Sequence, residues 1–368
     1  MMPEWERVHD WVNIQCKNQS ALFSGIDFEL PNYPSGGRLT RMLGAISRWR
    51  NYSNQIKTVE DKTGANVDLV FFAWIDSELH ASLPPVVQAM LFPYYWSGLY
   101  FHPYHLRQTK KFLYRCAVWR DLDGIFMSRR CIAVALHDLS IVSAFSNRIG
   151  KPVIHFPETA DCTPPNTDHP VAKMIREKAN QRLVVGIIGC EPHKGTLNLV
   201  RAVVKADSAR YFFAFIGNLP LDLYSESECL ELSEFFDKPP ENIITHFEPL
   251  NEGADYNAVF TAFDIPYLVY DNFISSSNRL TKAAYFERLV IAQNNYCVGS
   301  DVKEFDLGEA VPPGNPDAVT AGLERLEKRI RESNYPHDLW VKYRSLNSHE
   351  KLTERFQSII ELLPVCKN

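Results

Sequence analysis

Residues 184–203, VVGIIGCEPHKGTLNLVRAV, run from an apolar stretch through a Lys-Gly pair into a helical pattern. Those residue types in that order suit an anion. A glycine lets backbone approach a ligand closely, and a helix start offers unpaired N–H groups and positive potential to a phosphate. Lys194, beside Gly195, adds a point charge. The alternative is a tight turn with a solvated lysine. Residues 267–294, YLVYDNFISSSNRLTKAAYFERLVIAQN, repeat the layout. Ser275, Ser276, Ser277 and Asn278 can cap a helix, and the same groups can hold phosphate oxygens. Capping and ligand binding are compatible, so this segment does not choose between them.

Two segments of the first half carry further candidates. In FPYYWSGLYFHPYHLR (92–107), a strand ending at Trp96 and a turn at Ser97-Gly98 place His102 on a loop, with His105 behind it. The alternative for either histidine is a structural hydrogen bond. In HFPETADCT (155–163), Glu158 or Asp161 can bind hydroxyls or act as a base. The competing reading is a turn at Pro157 and an Asx-type cap at Asp161.

These segments need elements to hold them. In the second half, RLVVGII (182–188), YFFAFI (211–216), NIITHF (242–247), PYLVY (266–270) and RLVIA (288–292) are short apolar runs. Helical patterns lie between them, from Thr196 to about Lys205, over LYSESECLELSEFF, and near 254–263 and 279–286. Buried strands alternating with helices predict a parallel sheet covered on both faces, with ligands beyond the carboxyl ends of its strands. In the first half, VDLVFFA (67–73), LFPYYW (91–96), CIAVAL (131–136) and PVIHF (152–156) read as strands. ALFSGIDFEL (21–30) is a candidate first strand, followed by the PNYPSGG loop and a helix over RLTRMLGAISRW. TADCTPPNT (159–167) separates the two series and is the expected interdomain linker. Helical patterns at about 335–345 and 347–363 end the chain.

The pieces HKG (193–195), FIG (215–217), DIPY (264–267), TKAAYFERLVIAQ (281–293) and GEAVPPGNPDAV (308–319) occur in an order that resembles the C-terminal domain of GT-B glycosyltransferases, especially the family-4-like retaining group. No single piece is specific; five in order are. The resemblance covers about half of the chain and implies an α/β fold of two Rossmann-like domains facing across a cleft, with C-terminal helices. The implied division is an acceptor domain over 1–165, a nucleotide-sugar donor domain over 166–345, and a last helix, 346–368, packing back toward the first domain.

The implied activity is transfer of a hexose from a nucleotide diphosphate donor to a hydroxyl of a glycan or lipid-linked acceptor, as in polysaccharide biosynthesis. Retention of configuration and independence of metal go with it, and the nucleotide sugar is substrate, so no cofactor is expected. The implied donor set is Lys194, Gly195, Ser276, Ser277, Asn278 and Lys282, with Arg279 as the alternative cation to Lys282 and with Gly36 and Gly37 as a glycine loop toward the phosphates. His102 is the candidate for the N-domain histidine that contacts the donor sugar in such enzymes. Glu158 and Asp161 complete the candidate catalytic set.

The chain also departs from the family. Two glutamates eight residues apart are replaced by Ile274 and Lys282, and the second of them normally holds the donor ribose. Gly189 stands where an arginine precedes the lysine by five residues, and Glu287 and Leu289 replace the Gly and Pro before Val-Ile. Two alternatives therefore stay open beside the transferase: a non-catalytic partner subunit of the same fold, and a GT-B epimerase. A phosphorylase of this architecture would want a longer chain.

Composition bounds the rest. The 368 residues are 45% hydrophobic and 23% charged, an ordinary globular balance with room for two domains. A net charge of -5 does not favour nucleic acid. Eight cysteines show no zinc-type pairing and read as free thiols of a reducing compartment. The first residues lack the apolar core of a signal peptide, and Val86–Phe101 is too short to span a bilayer, so a cytoplasmic protein is expected. Residues 104–120 carry Arg107, Lys110, Lys111, Arg115 and Arg120 among aromatic residues with no acid. A solvated helix face or a contact with anionic lipid at the inner face of the membrane accounts for that segment.

Overall fold

The computed structural model describes residues 37–79, 83–103 and 122–364. The candidate strand at 21–30, Gly36, His105 and the basic aromatic segment 104–120 lie outside the described residues. Two parallel sheets organise the chain. The first holds β1 (Val70–Phe72), β2 (Trp96–Leu99), β3 (Cys131–Leu136) and β4 (Val153–His155) in the order β1-β2-β3-β4. The second holds β5 (Leu183–Ile188), β6 (Tyr211–Ile216), β7 (Ile243–His246), β8 (Ile265–Leu268), β9 (Val290–Gln293) and β10 (Gly308–Val311) in the order β10-β9-β8-β5-β6-β7.

The second sheet follows from its residues. β6 is buried along its whole length and β5 at all but its first residue, as an apolar run covered on both faces must be. The chain winds from β5 to β6 and β7 on one side, then returns to β8 beside β5 and winds out through β9 and β10. Strand order therefore reverses between β5 and β8, where Val185 pairs with Ile265 and Gly186 with Pro266. In such sheets the loops leaving the two strands at the reversal part and open a crevice at their carboxyl ends. Here those loops are 189–195 and 269–277.

The four expected helices are present, as Thr196–Lys205, Glu226–Asp237, Ala254–Thr261 and Asn278–Tyr285. A capping box between Ser225 and Glu228 starts the second of them. The helices Tyr296–Glu304 and Pro316–Arg331, and β10, add elements beyond the expected series.

The first sheet differs from expectation at β2. The strand expected at 91–96 starts only at Trp96, and Ser97-Gly98, expected to turn the chain, lie inside it. Residues 85–91 are a helix with proline at its first position. Pro93 has no N–H to give a ladder, so pairing begins beyond it, with Val70 opposite Trp96 and Gly98 opposite Val134. The helix expected over 38–49 extends to Thr63 and ends in a left-handed Gly64.

One face of this sheet packs Trp96, Val134 and Leu136 against Ala45 and Trp49 of the helix Arg38–Thr63, and Phe145 of the helix Val142–Ile149. The other face is covered by the last helix, His349–Ile360. Its Phe356 lies edge-on to Phe71 and Phe156, with ring centroids at 4.9 and 5.1 Å. The chain thus crosses to the second sheet over residues 156–169 and returns to the first by its final helix. Among the described residues no helix is long and apolar enough to cross a membrane. No disulfide joins any two of the described cysteines Cys131, Cys162, Cys190, Cys229 and Cys297.

Candidate functional site

The crevice at the β5/β8 reversal meets the carboxyl end of the first sheet in a cavity of about 390 Å³. Three chain segments build most of its wall.

The first is the loop after β5. Pro192–Lys194 form a single 3-10 turn that Gly195 ends, at φ 75°. A Cβ on Gly195 would stand 2.1 Å from the Val269 carbonyl oxygen, so only glycine lets the two loops approach this closely. Tyr267 tightens the same junction, donating to the Gly195 carbonyl at 3.2 Å while its oxygen accepts from Asn198 at 3.0 Å. Lys194 lies 5.3 Å from the centre of the Tyr270 ring. Burial, reinforced by the charge of Arg279 and opposed by Glu191, lowers its pKa to about 8. His193 also lines the cavity, its pKa lowered by burial and then by Lys194.

The second is the serine run before the helix Asn278–Tyr285. The hydroxyls do not cap that helix. Ser275 donates to the Phe101 carbonyl at 3.0 Å, Ser276 donates to the Glu158 carboxylate, and Ser277 shares a hydrogen bond with Tyr270 at 3.1 Å. With the side chains engaged elsewhere, the helix start presents its main chain to the cavity, which Ser275, Ser276, Ser277, Asn278 and Arg279 line.

The third is Glu158, at the start of the crossover. Its amide donates to Asn347 at 2.9 Å and its carbonyl accepts from Thr281 at 2.8 Å. Its carboxylate lies 3.6 Å from His137 Nε2. His137 Nδ1 faces the Phe156 carbonyl at 3.2 Å and must donate there, because a carbonyl only accepts. The Nε2 edge is thereby turned toward Glu158.

The first-half wall is His102 with Trp74 and Phe101. The Asp76 carboxylate accepts the main-chain N–H groups of Phe101 at 2.8 Å and His102 at 2.7 Å, and stands 3.3 Å from His102 Nδ1. This clasp fixes the corner after β2 and makes Nδ1 the protonated edge of the ring. Trp74 stacks on Phe101 at 4.5 Å.

The cavity therefore collects His102, Glu158, Lys194, Ser276, Ser277 and Asn278 of the candidate residues, with Gly195 shaping the loop beneath. It does not collect Asp161, Lys282 or Gly37. Asp161 is exposed and accepts from the Thr163 amide at 2.8 Å and hydroxyl at 2.7 Å, the Asx-type turn that competed with a chemical role. Those bonds outweigh partial burial and hold its carboxyl below the usual range. Lys282 is buried, and its ammonium donates to the Asp161 carbonyl and to Asn257. It pins the crossover from behind the helix. Gly37 is an exposed N-cap.

Asp76, Trp74, His193 and Tyr270 belong to the site without having been among the candidates. Asp76 follows β1 by four residues, at the carboxyl end of a parallel strand, which is the signal that could have found it.

No family model matches the chain, and no curated relative matches its sequence. Solved structures do match its fold. Sucrose-phosphate synthase from Thermosynechococcus elongatus aligns over 86% of this chain and 78% of its own, at 14% identity and TM-score 0.60. A UDP-forming α,α-trehalose-phosphate synthase from Burkholderia xenovorans aligns over 96% and 83%, at 11% identity and TM-score 0.62. This is a GT-B fold. HepE from Anabaena, solved with UDP-glucose, aligns over 87% of this chain and 83% of its own, at 15% identity and TM-score 0.58. The GT-B arrangement of two parallel α/β sheets facing one cleft accounts for the crossover over residues 156–169 and for the returning last helix.

Proposed function

We propose that the protein is a glycosyltransferase that binds a nucleotide diphosphate sugar in this cleft and transfers the sugar to a hydroxyl acceptor. The observation that carries the reading is the junction at the β5/β8 reversal. There Lys194 and the start of the helix Asn278–Tyr285 converge on one cavity that also holds an oriented histidine from the opposite half. A diphosphate is the group such a junction accepts, because main-chain N–H groups and a cation replace its water. The solved neighbours named with UDP or UDP-glucose support a nucleotide sugar as the donor.

In the transfer, the bond from the sugar C1 to the diphosphate oxygen breaks and its electron pair stays with the diphosphate. A bond forms from the acceptor oxygen to C1, and the acceptor proton leaves to a base or to the departing phosphate. Lys194 and the helix start stabilise the charge that grows on the leaving group, doing so without a divalent ion. His102, oriented by Asp76, faces the donor sugar. Glu158 receives acceptor or sugar hydroxyls. Retention of configuration rests on the family resemblance. A glycan or lipid-linked acceptor, a cytoplasmic location and donor and acceptor domains divided near residue 165 complete the proposal.

One observation favours a second reading. The position that holds a ribose-binding glutamate in the resembling family is Lys282, whose ammonium is engaged within the fold. A partner subunit that keeps the fold without turning over a donor would show that loss. Incubation with nucleotide sugars, followed by assay of released nucleoside diphosphate, separates the two: release supports the transferase, and binding without release supports the partner subunit.

A further inference from the structure

We infer that Arg279 supplies a second, forked contact to the diphosphate, taking over the arginine that the resembling family places ahead of its lysine; this rests on the proposed donor site. The family position is vacant here. Gly189 has no side chain, stands at φ 76°, and a Cβ on it would meet the Glu191 carboxylate at 2.7 Å. The charge returns from another element. Arg279 stands in the first turn of the helix Asn278–Tyr285 and lines the same cavity as Lys194.

Its geometry is that of an aimed group. Nε donates to the Tyr256 hydroxyl at 2.9 Å, which fixes the plane of the guanidinium. Nη1 is shielded from solvent and has no hydrogen-bond partner among the described residues. A guanidinium nitrogen withdrawn from water without an acceptor is costly, and such a cost persists where a ligand supplies the acceptor. A second cation shares the place. Arg279 is the largest charge effect on Lys194, ahead of the opposing Glu191, and it acts to depress the lysine. Two cations that repel each other across a cavity are relieved by an anion between them. A planar fork suits two phosphate oxygens at once, whereas Lys194 acts as a point charge.

Glu191 is the one acid among the charges that act on Lys194. Its Oε2 is also shielded and has no hydrogen-bond partner among the described residues. It sits beneath the Gly189 turn and does not line the cavity, so it leaves the unpartnered Nη1 of Arg279 open to a ligand.

The test is calorimetry of inorganic pyrophosphate and of UDP on the full chain and its variants. Arg279→Ala should weaken pyrophosphate binding by ~10- to 100-fold, the scale of a charged hydrogen-bonded pair. Arg279→Lys should recover only part of that, because an ammonium cannot fork. Tyr256→Phe, which removes only the bond that aims the guanidinium, should weaken binding by a smaller factor with the melting temperature kept. Unchanged affinity in a folded Arg279→Ala overturns the inference. Should that variant not fold, unchanged affinity in Tyr256→Phe overturns it. Failure of the wild-type chain to bind either ligand strikes the proposed function itself; binding lost in Lys194→Ala and kept in Arg279→Ala strikes only the role of Arg279.

Discussion

The Glu158 carboxylate accepts a hydrogen bond from Ser276, so the crossover leaving the first sheet touches the helix start offered to the diphosphate. A negative group therefore already rests beside that anion seat, with His137 on its other side. A bound diphosphate repels it, and the like charges oppose donor binding. Glu158→Gln keeps the bond to Ser276 and removes the charge. Diphosphate affinity should stay level or rise several-fold while turnover falls, because the amide cannot take a proton or hold a hydroxyl as strongly. Calorimetry with a nucleoside diphosphate, alongside a turnover assay, reads both changes; a fall in affinity with turnover intact would reverse the assignment.

Asp76 and His102 make the second prediction. Asp76→Asn leaves an oxygen for the main-chain N–H groups and loses the carboxylate that holds the imidazole edge. A ring freed to shift by an ångström costs roughly 10²-fold in rate. The expected result is a lowered kcat with donor affinity kept. A variant that loses donor affinity and keeps kcat would make Asp76 a binding group instead.

The Gly195 junction makes the third. Any side chain there meets the Val269 carbonyl at 2.1 Å in a backbone conformation that L residues rarely adopt. Gly195→Ala should lower stability by about 1–3 kcal/mol and displace Lys194 from the cavity. A denaturant midpoint and a nucleotide titration on the same variant check both effects. Unchanged values would remove the close approach from the account.

The pKa of Lys194 sets a pH dependence. Its folded value of about 8 lies below the ordinary lysine value of 10.5, so the unfolded chain binds more protons between those limits. Stability of the free protein should therefore rise as pH goes from about 8 toward 10.5, as the buried charge is relieved. Anion binding runs the other way, because it needs the charged form. Affinity for a diphosphate should fall above pH 8, by up to about tenfold per unit. Lys194→Arg should flatten that profile, since arginine stays charged throughout. An unaltered slope in the arginine variant would assign the titration to another group.

The sequence made the second sheet legible because β5 and β6 are long apolar runs, buried nearly throughout and bounded by Gly189 and Gly217. β2 starts later than LFPYYW suggests, because that run looks like a strand by composition while Pro93 cannot join a ladder. Site residues were legible where the chemistry is local, as at Lys194-Gly195. They were not legible where a distant contact decides. Lys282 and Arg279 are both cations on one short helix, and only the packing shows that Arg279 faces the cavity while Lys282 turns to Asp161 and Asn257. Likewise Asp76 reaches His102 across 26 residues of chain, a pairing that no spacing announces.

The central claim is a nucleotide-sugar site at the β5/β8 reversal, and a thermal-shift panel of UDP, GDP, ADP, TDP and CMP with their sugar conjugates tests it most directly. A ligand at about 100 times its Kd stabilises a fold by ~2.7 kcal/mol, a shift that is readily seen. A shift is expected with one nucleotide family, greater for the diphosphate than for its monophosphate and lost in Lys194→Ala. No shift with any member of the panel, or a shift indifferent to Lys194→Ala, would contradict it.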